Sequence, residues 1–374
     1  MKRTLAFTLL ILIYGCNNKC IDFENNFILI NSLELNYEVL ANLNFYSYHF
    51  DQNETDTLLT FKKDNKIIVF NLKSEKVEFD ISLNKLDGLV YRDHLYHNPD
   101  SIFICSILNS SVMYILLMNK NGEIYQRWNI NELANTETNG YFYIDSRHTH
   151  PMVLIKNKLY FQASYRFKPG TVIESHIPIE MLLDLSNGFA NQIGDLPLEY
   201  RQGIFYGNHQ QDYSRVINKK NELVFSFPVS HNIYVYDKSG ELLKTVNCKS
   251  HYINEIEPIE KDKYTELSAI IDAYTYNAQY SDLVYDEYHN IYYRVVLHKL
   301  EKFNDHGKIN DKNKRKWSII ILDENLKKVK EVLMPEEKFW KRIVITNQGL
   351  MLKSISKNNS NEYQIFKFQS CLNK

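Results

Sequence analysis

Arginine, histidine and tyrosine recur together in this sequence at spacings that suit ligand binding. Four Tyr-Arg pairs occur: Tyr91-Arg92, Tyr165-Arg166, Tyr200-Arg201 and Tyr293-Arg294. Histidines stand near several arginines, with His94 and His97 after Arg92, His148 and His150 after Arg147, His209 after Arg201, and His231 further on. An arginine fork grips a carboxylate or phosphate through two parallel hydrogen bonds, and a tyrosine ring is an apolar platform with a polar tip. Together they suit an anionic or glycan ligand. The competing reading is that the same groups brace neighbouring elements through hydrogen bonds.

His94-x-x-His97 and His148-x-His150 also carry metal-ligating atoms, and on a strand His148 and His150 point the same way. Catalytic zinc takes three protein ligands in fixed geometry, and neither HExxH nor CxxC spacing is present, so no metal is expected. Asp282 with Asp286-Glu287 supplies carboxylates of the kind used in glycoside hydrolysis. The last two sit in a hairpin turn, where solvated acids are ordinary. GxSxG, P-loop and GxGxxG fingerprints are absent, so no cofactor is implied. An enzyme whose residues converge from separate segments stays open.

Strands must position these residues. Segments 58–62 and 67–71 flank the turn Lys63-Asp64-Asn65-Lys66, and 76–83 adds a third strand. Segments 101–108, 112–118 and 123–130 repeat the grammar, and it returns from Met152. Segments 213–217, 222–227, 232–236 and 241–246 make the clearest unit of four, with Asp237-Lys238-Ser239-Gly240 as a turn. Unit starts fall near residues 58, 101, 152, 213, 281 and 342, the signature of an all-β propeller of six blades with four antiparallel strands each. Seven blades or an open β-solenoid are the alternatives. The sixth unit lacks an outer strand, which 27–33 or 45–50 would supply, closing the ring with N-terminal chain. A helix is expected within 257–273, and 302–316 reads as a polar insertion. In a propeller the loops entering each innermost strand share one face with the loops between second and third strands. Arg92, His94, His97, Arg147, His148, His150, Arg201, His209 and His231 therefore gather on one face.

The N-terminus carries a separate signal. Lys2-Arg3, an apolar run from Leu5 to Ile13 and a small residue before Cys16 read as a secretory signal, too short for a bilayer-spanning helix. Ile13-Tyr14-Gly15-Cys16 resembles the lipobox of bacterial lipoproteins. That resemblance implies removal of residues 1–15, lipidation of Cys16 and anchorage in the membrane by acyl chains. The chain then divides into a signal peptide (1–15), a tether (16–26) and a propeller domain (27–374). Removing Lys2 and Arg3 takes the formal charge from −1 to −3, too small a charge, without a basic stripe, to point to nucleic acid. Tyrosine, with 27 copies, fits half-buried strands. Cys20 and Cys371 lie near opposite ends, where closure of the ring would let them form a disulfide, while Cys105 reads as a small buried hydrophobe.

The pattern also resembles envelope lipoproteins of the Bacteroidota that share a domain of unknown function and are similar to six-bladed propeller lipoproteins of the same bacteria. The carrying segments are Asn232-Ile233-Tyr234-Val235-Tyr236-Asp237 with Gly240, Tyr285-Asp286-Glu287-Tyr288 with Tyr292-Tyr293-Arg294, and 317–322 with Asp323. The resemblance implies the fold over nearly the whole mature chain and carries no activity. The expected role is a lipid-anchored binding or interaction module of the cell envelope, without catalysis, taking an envelope protein, a glycan or an anionic ligand. The alternatives are an enzyme acting on a saccharide or peptidoglycan fragment in the propeller pocket and a receptor for a small anion. An outer-membrane location is expected. Asn17 and Asn18, rather than acids, follow Cys16, so periplasmic and surface faces both stay open.

Overall fold

The turns show how this sequence folds locally. Asn119, Asp237 and Asp323 each accept backbone N–H bonds from the residues two and four positions on, at 2.8 to 3.0 Å. This side-chain turn reverses the chain between the third and fourth strands of three blades. Gly240 completes one of them at φ +91°, where a Cβ would meet Ile193 at 2.5 Å, so no other residue fits.

The computed structural model describes residues 27–34, 48–52, 57–71, 74, 76–109, 111–134, 141–144, 146–207, 213–336, 343–353 and 362–368. Among them 25 strands form six antiparallel sheets. The first, β1 (Phe27–Glu34), belongs to the last blade. Blade 1 holds β2 (Tyr48–Gln52), β3 (Thr57–Lys63), β4 (Lys66–Asn71) and β5 (Lys76–Ser82). Blade 2 holds β6 (Val90–Asn98), β7 (Ser101–Leu108), β8 (Val112–Met118) and β9 (Ile124–Asn129). Blade 3 holds β10 (Tyr141–Ile144), β11 (Val153–Ile155), β12 (Lys158–Arg166), β13 (Glu180–Asp184) and β14 (Ala190–Ile193). Blade 4 holds β15 (Ser214–Ile217), β16 (Leu223–Ser226), β17 (Asn232–Tyr236) and β18 (Leu242–Asn247). Blade 5 holds β19 (Gln279–Asp286), β20 (Ile291–Leu297), β21 (Trp317–Leu322) and β22 (Lys328–Leu333). Blade 6 holds β23 (Val344–Thr346), β24 (Gly349–Lys353) and β25 (Glu362–Phe368), and β1 pairs with β25 as its outer strand. The fold is a six-bladed propeller closed by N-terminal chain.

The core lies between blades. Ile67, Val69, Ile102, Ile104 and Leu116 pack blade 1 on blade 2, and Val224, Ile233, Tyr292 and Ile320 pack blade 4 on blade 5. Leu59, Phe61, Met351 and Ile365 join blade 6 to blade 1. Arg294 of β20 fastens blades 4 and 5. Its guanidinium donates to Ser226 Oγ at 2.9 Å and to the carbonyls of Ser230 at 2.7 Å and His231 at 3.0 Å, beneath the Tyr280 ring at 3.5 Å. This Tyr-Arg pair is a brace.

Two expectations are corrected. The first two units start one strand earlier than residues 58 and 101, because β2 and β6 are the innermost strands of their blades. Val90–Asn98 carries Arg92, Asp93, His94 and His97 and so reads as a loop, yet Asp93 and His94 are fully buried. His94 spends its polarity on Thr60 Oγ1 at 2.9 Å and Tyr91 Oη at 2.6 Å. The expected helix is displaced: α1 spans Leu267–Tyr276, with only a short turn at Lys261–Lys263 before it. It packs Ile270 and Ala273 on Phe205 and Ile259. Arg315 caps its end, donating to Thr275 O at 2.9 Å.

Deleting residues 27–34 leaves β25 as an exposed edge and uncovers the Phe27 site among Tyr293, Val295 and Phe366. Calorimetry of the chain beginning at residue 35 is expected to show a melting temperature lower by more than about 10 °C. An unchanged transition would mean that β1 does not close the ring.

Candidate functional site

The innermost strands run side by side around a central channel of about 780 Å³. All begin on one face of the ring, the entry face, and end on the other, the turn face. An unbroken inner strand shows the channel alternate side chains, mostly apolar here: Leu95, Leu154, Val216, Val284 and Ile345. Three departures from regular pairing place the polar groups.

The largest is in blade 3. β10 and β11 pair with the two ends of the same strand, β12, and residues 146–152 leave the sheet between them. Arg147 and His150 form an isolated bridge at the neck, with His150 N donating to Arg147 O at 3.0 Å. Thr149 O accepts from Arg215 N at 2.8 Å and from Ser214 Oγ at 3.1 Å, so the excursion is seated on the inner strand of blade 4. His148 at its tip lines the channel, and its Nε2 lies 3.7 Å from Asp282 Oδ2 of blade 5. The second departure is a bulge in β19, where Ser281 and Asp282 are inserted between Tyr280 and Leu283. It turns the Asp282 carboxylate toward the channel, where Ser281 Oγ donates to it at 2.9 Å. The third is β6, whose register shifts at Arg92 and again at His97. Both are exposed, and His97 joins the channel wall.

A polar layer lies behind the excursion. Arg215 of β15 and Glu180 of β13 are fully buried, with Arg215 Nε donating to Glu180 Oε1 at 2.8 Å. Arg215 Nη2 donates to Pro151 O at 2.6 Å and the Tyr213 hydroxyl to Glu180 Oε1 at 3.0 Å. Arg215 Nη1, Glu180 Oε2 and His150 Nε2 make no hydrogen bond within the described residues. His150 Nδ1–H donates to Tyr213 O at 2.9 Å. Burial, reinforced by Arg147 and Arg215, holds the His150 imidazole down to about 3. The Tyr213 hydroxyl is raised well above its usual range by burial and then by Glu180. At the turn face the channel ends in Lys219, Glu287 and Tyr288.

The residues expected on one face divide. Arg92, Arg201 and His231 stand toward the entry face. Arg201 pairs with Asp195 at 3.1 Å and donates to Ser175 O at 3.3 Å, and His231 Nδ1 sits 2.7 Å from the Tyr280 hydroxyl. Burial, then Lys249 and Arg294, lowers the His231 pKa. Arg147, His148 and His150 sit part-way down the ring and His97 at the far end. Cys16, Cys20, His209 and Cys371 lie outside the described residues. His148 and His150 do not point together, because the chain turns between them. No group of three His, Cys, Asp or Glu side chains fit to hold a metal occurs among the described residues. Asp286 caps its turn, accepting from Tyr288 N and His289 N at 3.0 Å. Sequence reasoning missed Arg215 and Glu180. A lone charge inside the apolar segment Ser214–Ile217 was the available signal, since a buried arginine needs a partner.

Residues 18–333 match a family described as a domain of unknown function, DUF4221. The chain belongs to this family. A DUF4221 member from Bacteroides vulgatus superposes with a TM-score of 0.68 at 18% identity, covering 93% of this chain and 99% of that one. A protein of unknown function from Bacteroides caccae gives 0.35 at 11%, covering 77% and 81%. Virginiamycin B lyase from Staphylococcus aureus gives 0.37 at 12%, covering 91% and 99%. No curated protein matches the sequence. The Bacteroides vulgatus member thus speaks to the fold of this DUF4221 chain, and its chemistry rests on the channel.

His150, at about 3, and His298, lowered to about 4 mainly by burial, are both neutral when folded. Unfolded histidine titrates near 6.5. A folded pKa below the unfolded one leaves stability intact above about pH 6.5 and erodes it as the pH falls, by about 1.4 kcal/mol per group per unit. Urea unfolding between pH 7 and 5 is expected to show this loss, with a shallower slope in His150→Gln. Equal slopes would show that His150 does not supply it.

Proposed function

We propose that this DUF4221 propeller is a binding module of the cell envelope, held to the membrane by a lipid on Cys16, whose central channel takes a small polar ligand. The observation that carries the reading is the broken inner strand of blade 3. Interrupting a strand sacrifices ladder hydrogen bonds, and here it sets His148, with Asp282, inside the channel. A concave site of this size with a few convergent polar groups suits a small molecule. The wall carries both signs, with Asp282 and Glu287 set against Lys219. That mixture favours a ligand rich in hydroxyl groups, or one bearing both charges, over a simple anion. Arg201 and Arg215 are already engaged by carboxylates, which weakens the small-anion reading further.

The enzymatic reading keeps one specific support. A histidine 3.7 Å from a buried carboxylate in a channel is the arrangement in which a carboxylate orients an imidazole for proton transfer. A saccharide or peptidoglycan fragment would be the substrate.

Thermal-shift measurement against muropeptides and oligosaccharides separates these outcomes. Binding predicts that a ligand stabilises the wild type, that His148→Ala and Asp282→Asn abolish the shift, and that the ligand is recovered unaltered. Recovery of a cleaved ligand would favour the enzyme. Equal shifts in the variants would remove the channel from the account. For the anchor, Cys16→Ser is expected to move the protein from the membrane pellet to the soluble fraction. A pelleted variant would show that another feature holds it.

A further inference from the structure

A second pocket of about 410 Å³ lies on the outer rim between blades 2 and 3, away from the channel and independent of the reading above. Strand β9 contributes Tyr125, Gln126 and Trp128, and the turn between β13 and β14 contributes Ser186, Asn187 and Gly188. Its composition is unusual for this surface. Charged residues make up 24% of the chain, yet no Asp, Glu, Lys or Arg lines this pocket. What lines it is aromatic carbon and the side chains of Leu117 and Leu185, with amides and a hydroxyl.

The pocket is also held in shape. The Tyr125 hydroxyl is fixed by the Asn119 amide, so the ring stands outward as a platform, 57% exposed. On the opposite wall Asn187 Oδ1 accepts from Phe189 N at 2.9 Å, fixing the turn that presents Phe189, 71% exposed. Trp128 forms the floor. Its indole nitrogen lies 3.8 Å from where a Cβ on Gly188 would stand, so the turn closes over the indole edge.

We propose that this rim pocket binds a neutral glycan, with a pyranose ring stacked on Tyr125 and its hydroxyls met by Gln126, Asn187 and the Trp128 indole. A pyranose has one face of C–H groups and a rim of hydroxyls. It therefore needs an aromatic face and uncharged donors and acceptors together. An anionic ligand would find no cation here, and a purely apolar one would leave the amides unsatisfied. Rigid aromatic side chains flanked by Asn, Ser and Gly give contact area at low ordering cost.

The test is an array of neutral oligosaccharides (hexose, N-acetylhexosamine and deoxyhexose chains) beside sialylated and uronic-acid chains, probed with the full chain. The expected result is binding among the neutral glycans. Titration with the best of them should change tryptophan fluorescence in the wild type and not in Trp128→Phe. Tyr125→Ala should then bind about tenfold more weakly at an unchanged melting temperature, and His148→Ala should bind as the wild type does. The proposal is overturned by an array with no bound glycan, by binding confined to acidic chains, or by Tyr125→Ala and Gln126→Ala both binding normally. A loss confined to His148→Ala would place the sugar in the channel and overturn it equally.

Discussion

Everything in this molecule depends on how a flat repeating sheet is made to end nowhere. Blades of four strands bury their faces against one another, but a row of blades has two uncovered ends. Here the last blade receives β1 from the opposite end of the described chain, so blade 6 is complete only when both ends of the domain are in place. Phe27 packs beside Tyr293 and Phe368, which ties closure to the same apolar contacts that hold blade 5 on blade 6. The channel is a product of that closure, since six inner strands surround a space only when the ring is shut.

Closure also explains where polarity is tolerated. Inner strands are hemmed in on three sides, so each polar residue there must find a partner or face the channel. Arg215 and His94 find partners, the first in Glu180 and the second in Thr60, and both bind adjacent blades together. His97 and Asp282 are turned to the channel at bulges, and His148 by a break in the strand. Three of the channel's polar groups therefore stand at irregularities of the inner strands. Removing one partner of the Arg215–Glu180 pair would strand a charge, a loss of about 3–5 kcal/mol, which is why such residues read first as architecture.

The fold was legible because its turns are written plainly. Asn119-Lys120-Asn121-Gly122 and Asp237-Lys238-Ser239-Gly240 reverse the chain by local chemistry alone, and strands on either side alternate as half-buried surface. The inner strands of blades 1 and 2 were not legible. Val90–Asn98 owes its pairing to neighbours distant in sequence, and its Asp and His residues mimic a loop. The site was legible only in part for the same reason. His148 and Arg147 announced themselves by residue type, but the excursion that carries them is defined by contacts with Ser214 and Arg215, more than sixty residues on. Asp282 looked like half of a carboxylate pair with Asp286, and only the bulge sends them apart.

The direction of β1 makes the two mouths of the channel inequivalent. Strands alternate outward from β23, so β1 runs opposite to the inner strands, and Phe27 stands where those strands end. Any chain leading into residue 27 therefore meets the ring on the side of Lys219, Glu287 and Tyr288. Helix α1 and the rest of the insertion between blades 4 and 5 project from the other side. A tether on residue 27 would thus act as a hinge pin with a fixed sense. One mouth would be kept close to whatever held such a tether, and the other would face away from it.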